Sequence, residues 1–410
     1  MKKSLILAVA SLAVIGCSKR EIGVDPNAAD PNEVRFSTGG ATVTSKVTTD
    51  AAGKSAFENN DLIGVYAVLD GKKLGTDASA AFPTTLQYLN KKFKVTSVKA
   101  ATSTDPAVAT FTANGTSEKM YYLAGDQAWN YYAYYPTTGT LFSGMPTLTT
   151  AAAAAQFVKT DNTNTFYNQT ALSTSSSLYP GPIMFAYHGT ADKASSTHPV
   201  NLTFKHALAK LTLDVTVANS IGSVSGASDA TIMMYGDGLT EGLTFDLTKA
   251  TAVGAASGVY EVISQTTTGS PANLDGTTTA SAGATPTPAD TKAYFFEAIP
   301  DAGGDVQHFT VTGYLVPAGC VAAPGTGTLK NVEIKFYIGA SGSMNLQAYT
   351  AKLDETAGGS ISGKTNYLPQ IEPGKEYKFK IELKQHEVTF TGTIEDWDVV
   401  DNTSTPIPAE

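Results

Sequence analysis

Apolar and polar residues alternate with a period of two along most of this chain. In the stretch YKFKIELK, the apolar residues Tyr377, Phe379, Ile381 and Leu383 alternate with charged residues. Strict alternation predicts a strand with one buried and one solvated face, which is typical of antiparallel sheets. The stretch VTFTGTI follows the turn sequence KQHE and predicts a partner strand.

Further strands are predicted throughout the chain. They fall in the stretches DLIGVYAVLD, WNYYAYYP, GPIMFAYH, VNLTFKHALAKLTLDVTV, KAYFFEAIP, HFTVTGYLVP and NVEIKFYIG. Helical periodicity is nearly absent, and one short helix is predicted in TTAAAAAQFVK. Many short strands separated by turn signals predict an all-β protein built from β-sandwiches.

The apolar positions change parity within the stretch that begins at Val200. Val200, Phe204 and His206 share one face, whereas the apolar residues from Leu211 onward occupy the opposite face. A strand cannot change faces without an extra residue or a bend, so we expect a bulge near residues 207–210. His206 then lies on the core side, where we interpret it as a buried histidine rather than a ligand.

A polar, turn-rich stretch, HGTADKASSTHP, interrupts the strand pattern near the middle of the chain. This composition predicts a domain boundary. We therefore expect two antiparallel β-sandwich domains in tandem, the first over residues 33–193 and the second over residues 194–410. A chain of 410 residues is long enough for each domain to bury its own core.

The first residues of the chain resemble the signal of a bacterial lipoprotein. A short basic start precedes an apolar run from Leu5 to Ile15, which suits a secretory signal and is shorter than the roughly 20 residues of a membrane-spanning helix. The following VIGC resembles a lipobox, which implies removal of residues 1–16 and lipid attachment and acylation at Cys17. Residues 17–32 would then be a lipidated, flexible tether. The alternative is an ordinary signal peptide with an accidental cysteine.

Composition restricts the chemistry of the protein. Cys320 is the second of two cysteines, so a lipidated Cys17 leaves no disulfide framework. The net charge is −9 and no basic run is present, which excludes nucleic acid as a partner. The motifs of nucleophile elbows, zinc proteases, phosphate loops and paired cysteines are missing, and the five histidines lack metal-ligand spacing. We expect neither an enzyme nor a cofactor.

The aromatic stretch YYLAGDQAWNYYAYYP is the strongest candidate for a binding site. Trp129, Tyr131 and Tyr135 would stack on sugar rings if they were exposed. The favoured interpretation is that both faces of this strand are aromatic, with one face in the core and the other at a domain contact, because exposed aromatic ladders promote aggregation.

Taken together, these stretches resemble the fimbrillin family, the lipoprotein-derived subunits of type V pili. EVRFS and FENNDLIGVYAV resemble the opening strand pair of the family, and WNYYAYYP and GPIMFAYH the closing strands of its first domain. VNLTFKHALAKLTLDV resembles the entry strand of its second domain, and the stretch from YLPQIEPGKEYKFK to EDWD its C-terminal hairpin, which ends in Trp397.

The resemblance implies two transthyretin-like β-sandwiches without a cofactor, in a structural and adhesive subunit of a cell-surface fimbria. Assembly would proceed by strand exchange, in which a protease removes the N-terminal strand and a partner's strand fills the groove. The partners would be other fimbrial subunits in a homo- or heteropolymer, the outer membrane through the lipid on Cys17, and host or bacterial surface ligands. The rival hypothesis is a glycan-binding β-sandwich lipoprotein of the cell surface.

The arginines suggest where the front of the chain is processed. Of 28 basic residues only Arg20 and Arg35 are arginines, so an Arg-specific protease would trim the front of the chain alone. The alternative is that a lysine-rich composition contains two chance arginines. In the fimbrillin family the cut usually follows the first strand, where this chain has Lys46, whereas Arg35 falls inside the predicted strand. Arg35 and Lys46 are therefore both candidate processing sites, and an anchor or tip subunit that keeps its lipid stays open.

The C-terminal region is the predicted donor of a strand to the next subunit. Val388, Phe390 and Ile394 alternate toward one face, and a further segment follows Trp397. The competing interpretation is that this end is the closing hairpin of its own domain.

Overall fold

The computed structural model describes most of the predicted strands. The described residues are 33–38, 48–49, 55–72, 87–99, 108–122, 127–135, 137, 156–158, 168–169, 184–191, 199–220, 222–239, 244–246, 263–264, 274–281, 284–288, 290–318, 329–339, 347–353, 370–384 and 387–396.

Within these residues the chain forms β-strands and two single 3-10 turns, at Thr116–Glu118 and Ala227–Asp229. The strands are β1 (Phe36–Ser37), β2 (Thr48–Thr49), β3 (Ser55–Ala56), β4 (Leu62–Leu69), β5 (Gln87–Lys99), β6 (Val108–Ala113), β7 (Trp129–Tyr135), β8 (Gln156–Val158), β9 (Asn168–Gln169), β10 (Met184–Ala191), β11 (Val200–Asn201), β12 (Phe204–His206), β13 (Ala209–Val217), β14 (Ala230–Asp237), β15 (Thr244–Asp246), β16 (Ile263–Ser264), β17 (Tyr294–Phe296), β18 (Ile299–Pro300), β19 (His308–Leu315), β20 (Lys330–Ile338), β21 (Gln347–Lys352), β22 (Lys375–Lys384) and β23 (Glu387–Asp396). The predicted all-β fold is confirmed. The helix predicted in TTAAAAAQFVK is wrong for residues 156–158, which form β8.

The first sheet has eight strands in the order β11-β1-β6-β5-β4-β7-β10-β12. Its two end strands, β11 and β12, are separated in the chain by Leu202 and Thr203 alone. Two residues span less than about 10 Å, so the sheet must roll until its edges meet. The inner face of the rolled sheet encloses an aromatic core that includes Phe93, Phe111 and Tyr131.

Phe57 closes this core from the turn that precedes β4. Its ring packs edge-on against Phe111, Tyr135 and Phe204, with centroid distances of 5.2, 5.5 and 5.1 Å. These partners come from β6, β7 and β12, so one side chain connects the middle of the sheet with its end. Perpendicular ring pairs of this kind are a favoured arrangement of aromatic side chains.

The second half of the fold contains two five-stranded sheets, in the orders β18-β19-β13-β22-β23 and β21-β20-β14-β17-β9. The apolar residues of β13, β19 and β22 belong to one buried cluster with the inward-facing apolar residues of β14, β17 and β20. Two sheets that share one core form a β-sandwich. Most neighbours are antiparallel, but β13 and β22 pair in parallel.

The change of parity after Val200 marks the passage of the chain between sheets. β12 ends at His206 in the first sheet, and β13 begins at Ala209 in the sandwich. Ala207 and Leu208, both fully buried, connect them. The expected bulge within one strand is therefore wrong in kind, although its position is correct. His206 is fully buried, as expected.

Strand pairing crosses the predicted domain boundary in both directions. β11 and β12 lie beyond residue 193 but belong to the first sheet, while β8 and β9 precede it and pair with β15 and β17. The domain bounds 33–193 and 194–410 stay a prediction, as does the likeness of the domains to transthyretin.

A glycine is required at position 64 by an aromatic ring on the neighbouring strand. Gly64 lies directly opposite Tyr134, and an added Cβ would lie 2.1 Å from the tyrosine ring. That ring is held in place because its hydroxyl donates to Asn90 Oδ1 (2.6 Å) and accepts from Lys92 Nζ (2.7 Å). The side chain of Tyr134 therefore cannot move aside cheaply.

We expect Gly64→Ala to lower the free energy of unfolding by about 1–3 kcal/mol, the usual cost of overpacking. Urea unfolding followed by circular dichroism measures it. Gly226→Ala is the matched control, because the nearest atom to its added Cβ lies at 3.8 Å; its effect should stay within about 0.5 kcal/mol. Equal losses in the two variants would contradict the role of the Tyr134 ring.

Candidate functional site

The first candidate site is the place occupied by residues 33–38, here called the N-terminal segment. On one side it runs beside β6 and the stretch that follows β6 in the chain. The backbone N–H groups of Val34 and Thr38 donate to the carbonyl groups of Met120 (3.0 Å) and Ala109 (2.9 Å). The Thr38 Oγ1 atom also accepts the N–H of Ala109 (2.7 Å). The segment is thus bonded to this neighbour by main chain and side chain.

On its other side the N-terminal segment pairs with β11 in parallel. Val200 N–H donates to the carbonyl of Arg35 (2.8 Å), and Leu202 N–H donates to the carbonyl of Ser37 (2.7 Å). Ser37 Oγ also donates to Asn201 Oδ1 (2.8 Å). A strand that is bonded on both sides is an interior strand, and its removal would leave two unpaired edges.

The two apolar side chains of the N-terminal segment lie in the core of the first sheet. Phe36 is fully buried, and its ring packs edge-on against Phe93 (4.8 Å) and Tyr131 (5.2 Å). Val34 is buried as well, whereas the intervening Arg35 is exposed. The segment therefore fills an apolar slot between β6 and β11, here called the slot, as well as completing its hydrogen bonds.

The outermost residue of the N-terminal segment is fixed by charge. Glu33 Oε2 accepts a hydrogen bond from Lys119 Nζ at 2.7 Å, and Glu33 forms an isolated bridge with Tyr121. The lysine side chain is one-third exposed, so this ion pair orients the segment more than it stabilises the fold.

The structure places one of the three predicted site residues. Arg35 lies in the N-terminal segment with its side chain exposed. Cys17 and Lys46 lie outside the described residues, as does Cys320.

The pairing of the N-terminal segment differs from the expected opening strand pair. The resemblance predicts EVRFS beside the strand of FENNDLIGVYAV, which is β4, but β1 pairs with β6 and β11. This part of the expectation is wrong, because alternation reveals that a strand exists but not which distant strand lies next to it. Nothing in the local sequence around Ala109, Met120 or Val200 indicates that these residues lie next to the N-terminal segment.

The second candidate site is the C-terminal hairpin. β22 and β23 are paired from Lys375 and Asp396 to Lys384 and Glu387, which confirms the predicted partner strand. β23 forms the end of its five-stranded sheet, and Val388 packs partly buried against the sandwich core. The side-chain orientations of Phe390 and Ile394 lie outside what the structure describes, and Trp397 lies outside the described residues.

The aromatic strand β7 is buried on both faces. Trp129 and Tyr131 are 1% exposed and Tyr135 6%, all within the core of the first sheet. The alternate residue Tyr134 belongs to the sandwich core, together with Phe185 from β10. The interpretation as a core face and a contact face is confirmed, and the proposed sugar platform is wrong because its rings have no accessible face.

Ionisable groups on the sandwich surface form cross-strand contacts. His308 Nε2 lies 2.5 Å from Asp214 Oδ1, and Lys380 Nζ lies 3.8 Å from the other oxygen of this carboxylate. In the part of the chain that the structure describes, no group of three or more His, Cys, Asp or Glu residues could hold a metal ion. Nor does any helix among these residues have the length and hydropathy to span a membrane.

Comparison with known families identifies the family to which this chain belongs. A family model described as fimbrillin-like matches residues 45–397. The chain belongs to the fimbrillin-like family. This family consists of structural subunits of fimbriae, so the resemblance inferred from the sequence is confirmed, and the protein is a fimbrial subunit that acts at the cell surface.

Solved structures resemble this fimbrillin-like protein over nearly its whole length. A candidate cell adhesion protein from Bacteroides ovatus is 16% identical, with 91% of this chain and 100% of that chain covered and a TM-score of 0.49. A second candidate cell adhesion protein, from Bacteroides uniformis, is 16% identical, with 89% of this chain and 97% of that chain covered and a TM-score of 0.47. The tip fimbrial protein Mfa3 from Porphyromonas gingivalis with C-terminal truncation is 11% identical, with 89% of this chain and 100% of that chain covered and a TM-score of 0.39. A search of curated proteins gave no match. The family assignment rests on the family model.

We expect Phe36→Ala to destabilise this fimbrillin-like protein by about 3–5 kcal/mol, because it removes a fully buried ring from the core of the first sheet. The adjacent Arg35→Ala is the control, since its side chain is exposed, and it should change stability by less than about 0.5 kcal/mol. Thermal and urea unfolding of both variants provide the comparison. A small effect of Phe36→Ala would mean that the N-terminal segment contributes little to the fold.

Proposed function

We propose that this fimbrial subunit is exported as a lipoprotein, held in the outer membrane by a lipid on Cys17, and joined to other subunits by β-strand exchange. The observation that carries the proposal is the N-terminal segment, which completes the first sheet as a short interior strand between β6 and β11. Its partners would be further fimbrial subunits, and a part of the assembly would contact host or bacterial surfaces. Neither catalysis nor a cofactor enters this function.

The slot has the properties of an acceptor for a foreign strand. An empty slot would expose two rows of unpaired backbone groups and an apolar trough lined by Phe93 and Tyr131. A strand from another subunit would restore the same hydrogen bonds, while alternate side chains such as that of Phe36 would determine specificity. On the accepting subunit, strand exchange therefore needs no surface beyond the slot itself.

The C-terminal region is the proposed donor. Among the described residues β23 is the last strand of its five-stranded sheet, a position from which a following segment can leave without breaking strand pairing on two sides. Residues 398–410 would extend toward the slot of a neighbouring subunit. The competing possibility is that β23 and the residues after it only close their own sandwich, which the pairing of β22 with β23 also accommodates.

The lipid anchor predicts the behaviour of two cysteine variants in cells. Cys17→Ala should abolish labelling with a fatty-acid analogue and leave the precursor uncleaved or released, because the thiol that carries the lipid is lost. Cys320→Ala is the matched control and should be labelled like the wild type. Unchanged labelling of Cys17→Ala would exclude anchoring at this residue.

The proposed donor predicts that deletion of residues 398–410 abolishes polymers and leaves a folded monomer. Gels run after mild heating separate the polymers, and the urea unfolding midpoint reports the fold. Phe390→Asp tests β23 separately, since a charge on an apolar donor face should prevent insertion. Undiminished polymers after the deletion would mean that these residues are not required for donation.

A further inference from the structure

We propose that cleavage at Arg35 leaves the slot closed, and that a cut able to open it must fall after Thr38. This inference rests on the proposed strand exchange and concerns the step that controls it. It predicts that an arginine-specific protease leaves the slot filled by the subunit's own residues. The subunit then joins a polymer only by donating a strand to a neighbour.

The peptide bond after Arg35 is protected although the arginine side chain is exposed. The carbonyl group of this bond accepts the N–H of Val200, and the next two residues, Phe36 and Ser37, are paired on both sides. A protease binds its substrate as an extended strand through the same main-chain groups, and nicking is concentrated in exposed loops. Cleavage of the folded subunit at Arg35 therefore requires prior opening of an interior strand.

A cut at Arg35 also leaves three of the residues that occupy the slot in place. Phe36, Ser37 and Thr38 follow the cut and stay covalently attached to the rest of the chain. They keep the buried ring, the Ser37–Asn201 hydrogen bond and both hydrogen bonds between Thr38 and Ala109. The fragment that leaves contains Val34 and Glu33, so its departure breaks the ion pair between Glu33 and Lys119.

The sequence restricts which proteases could open the slot. Between Thr38 and Phe57 the basic residues are Lys46 and Lys54, and there is no arginine. A protease specific for arginine would thus shorten the front of the chain at Arg20 and Arg35 without emptying the slot. Cleavage that frees residues 33–38 needs another specificity, such as one for lysine.

A subunit with a closed slot has one free assembly contact. Its C-terminal region would still donate to a neighbour, but no neighbour could insert into its first sheet. Such a subunit terminates a polymer at its acceptor side. The partner implied by the closed slot is therefore a single fimbrial subunit with an open slot of its own.

The first test is limited digestion of the purified full chain with an arginine-specific protease, followed by mass spectrometry. Relative to the unfolded chain in urea, we expect cleavage at Arg35 in the folded protein to be slower by about a hundredfold, because it requires opening of the strand. Phe36→Ala removes the buried ring that holds the strand, so it should bring the rate at Arg35 close to that of the unfolded chain, with Arg20 as the internal reference. Equal rates at Arg35 in the folded and unfolded chains would overturn the proposal.

The second test asks whether the slot is open after digestion. The protease-treated wild type should not take up a fluorescent peptide with the sequence of residues 33–46. Lys46→Arg, cut at the new arginine, should exchange its own segment for that peptide. Uptake by the treated wild type would overturn the proposal, as would failure of the cut variant to exchange. A chain without residues 398–410 should show the same digestion rates and uptake, so failure of the C-terminal donor can be distinguished from failure of this inference.

Discussion

The fold of the first sheet depends on the hydrogen bonds that the N-terminal segment makes on both of its sides. β6 and β11 are neighbours only through this segment, and β11 leads within two residues to β12 at the other end of the sheet. The rolled shape, the enclosed aromatic core and the passage to the sandwich all require that β11 stays in place. Phe36 is in register with Val200, and the strands of this sheet extend along the chain as far as His206 in β12. A short stretch at the front of the chain thus determines the geometry of the whole first sheet.

The contact between the two halves follows from a strand that is apolar on both faces. The inward rings of β7 fill the first core, and its outward Tyr134, with Tyr66 from β4, belongs to the cluster of the sandwich. Burial of these rings raises the pKa of both tyrosine hydroxyls well above the ordinary value. The halves are therefore joined by a shared apolar layer rather than by a solvated linker, and the fully buried Ala207 and Leu208 complete it.

The strands of this protein could be predicted from the sequence wherever burial alternates, as in β22, because alternation is a local property of one strand. The parity change near residue 207 also located the crossover, but a bend within one sheet and a passage between sheets have the same local signature. The neighbours of β1 could not be predicted, since pairing of Phe36 with Phe111 and Val200 depends on distant contacts. For the same reason Arg35 could be recognised as a candidate site, but not as a residue of an interior strand.

The pairing of β1 with strands on both of its sides has a mechanical consequence. Consider a pull on the N-terminal segment directed along the axis of β1. The hydrogen bonds to β6 and β11 lie across that axis, so they would be loaded together in shear instead of opening one after another. Resistance to such a force would be cooperative, with the buried ring of Phe36 opposing the first displacement.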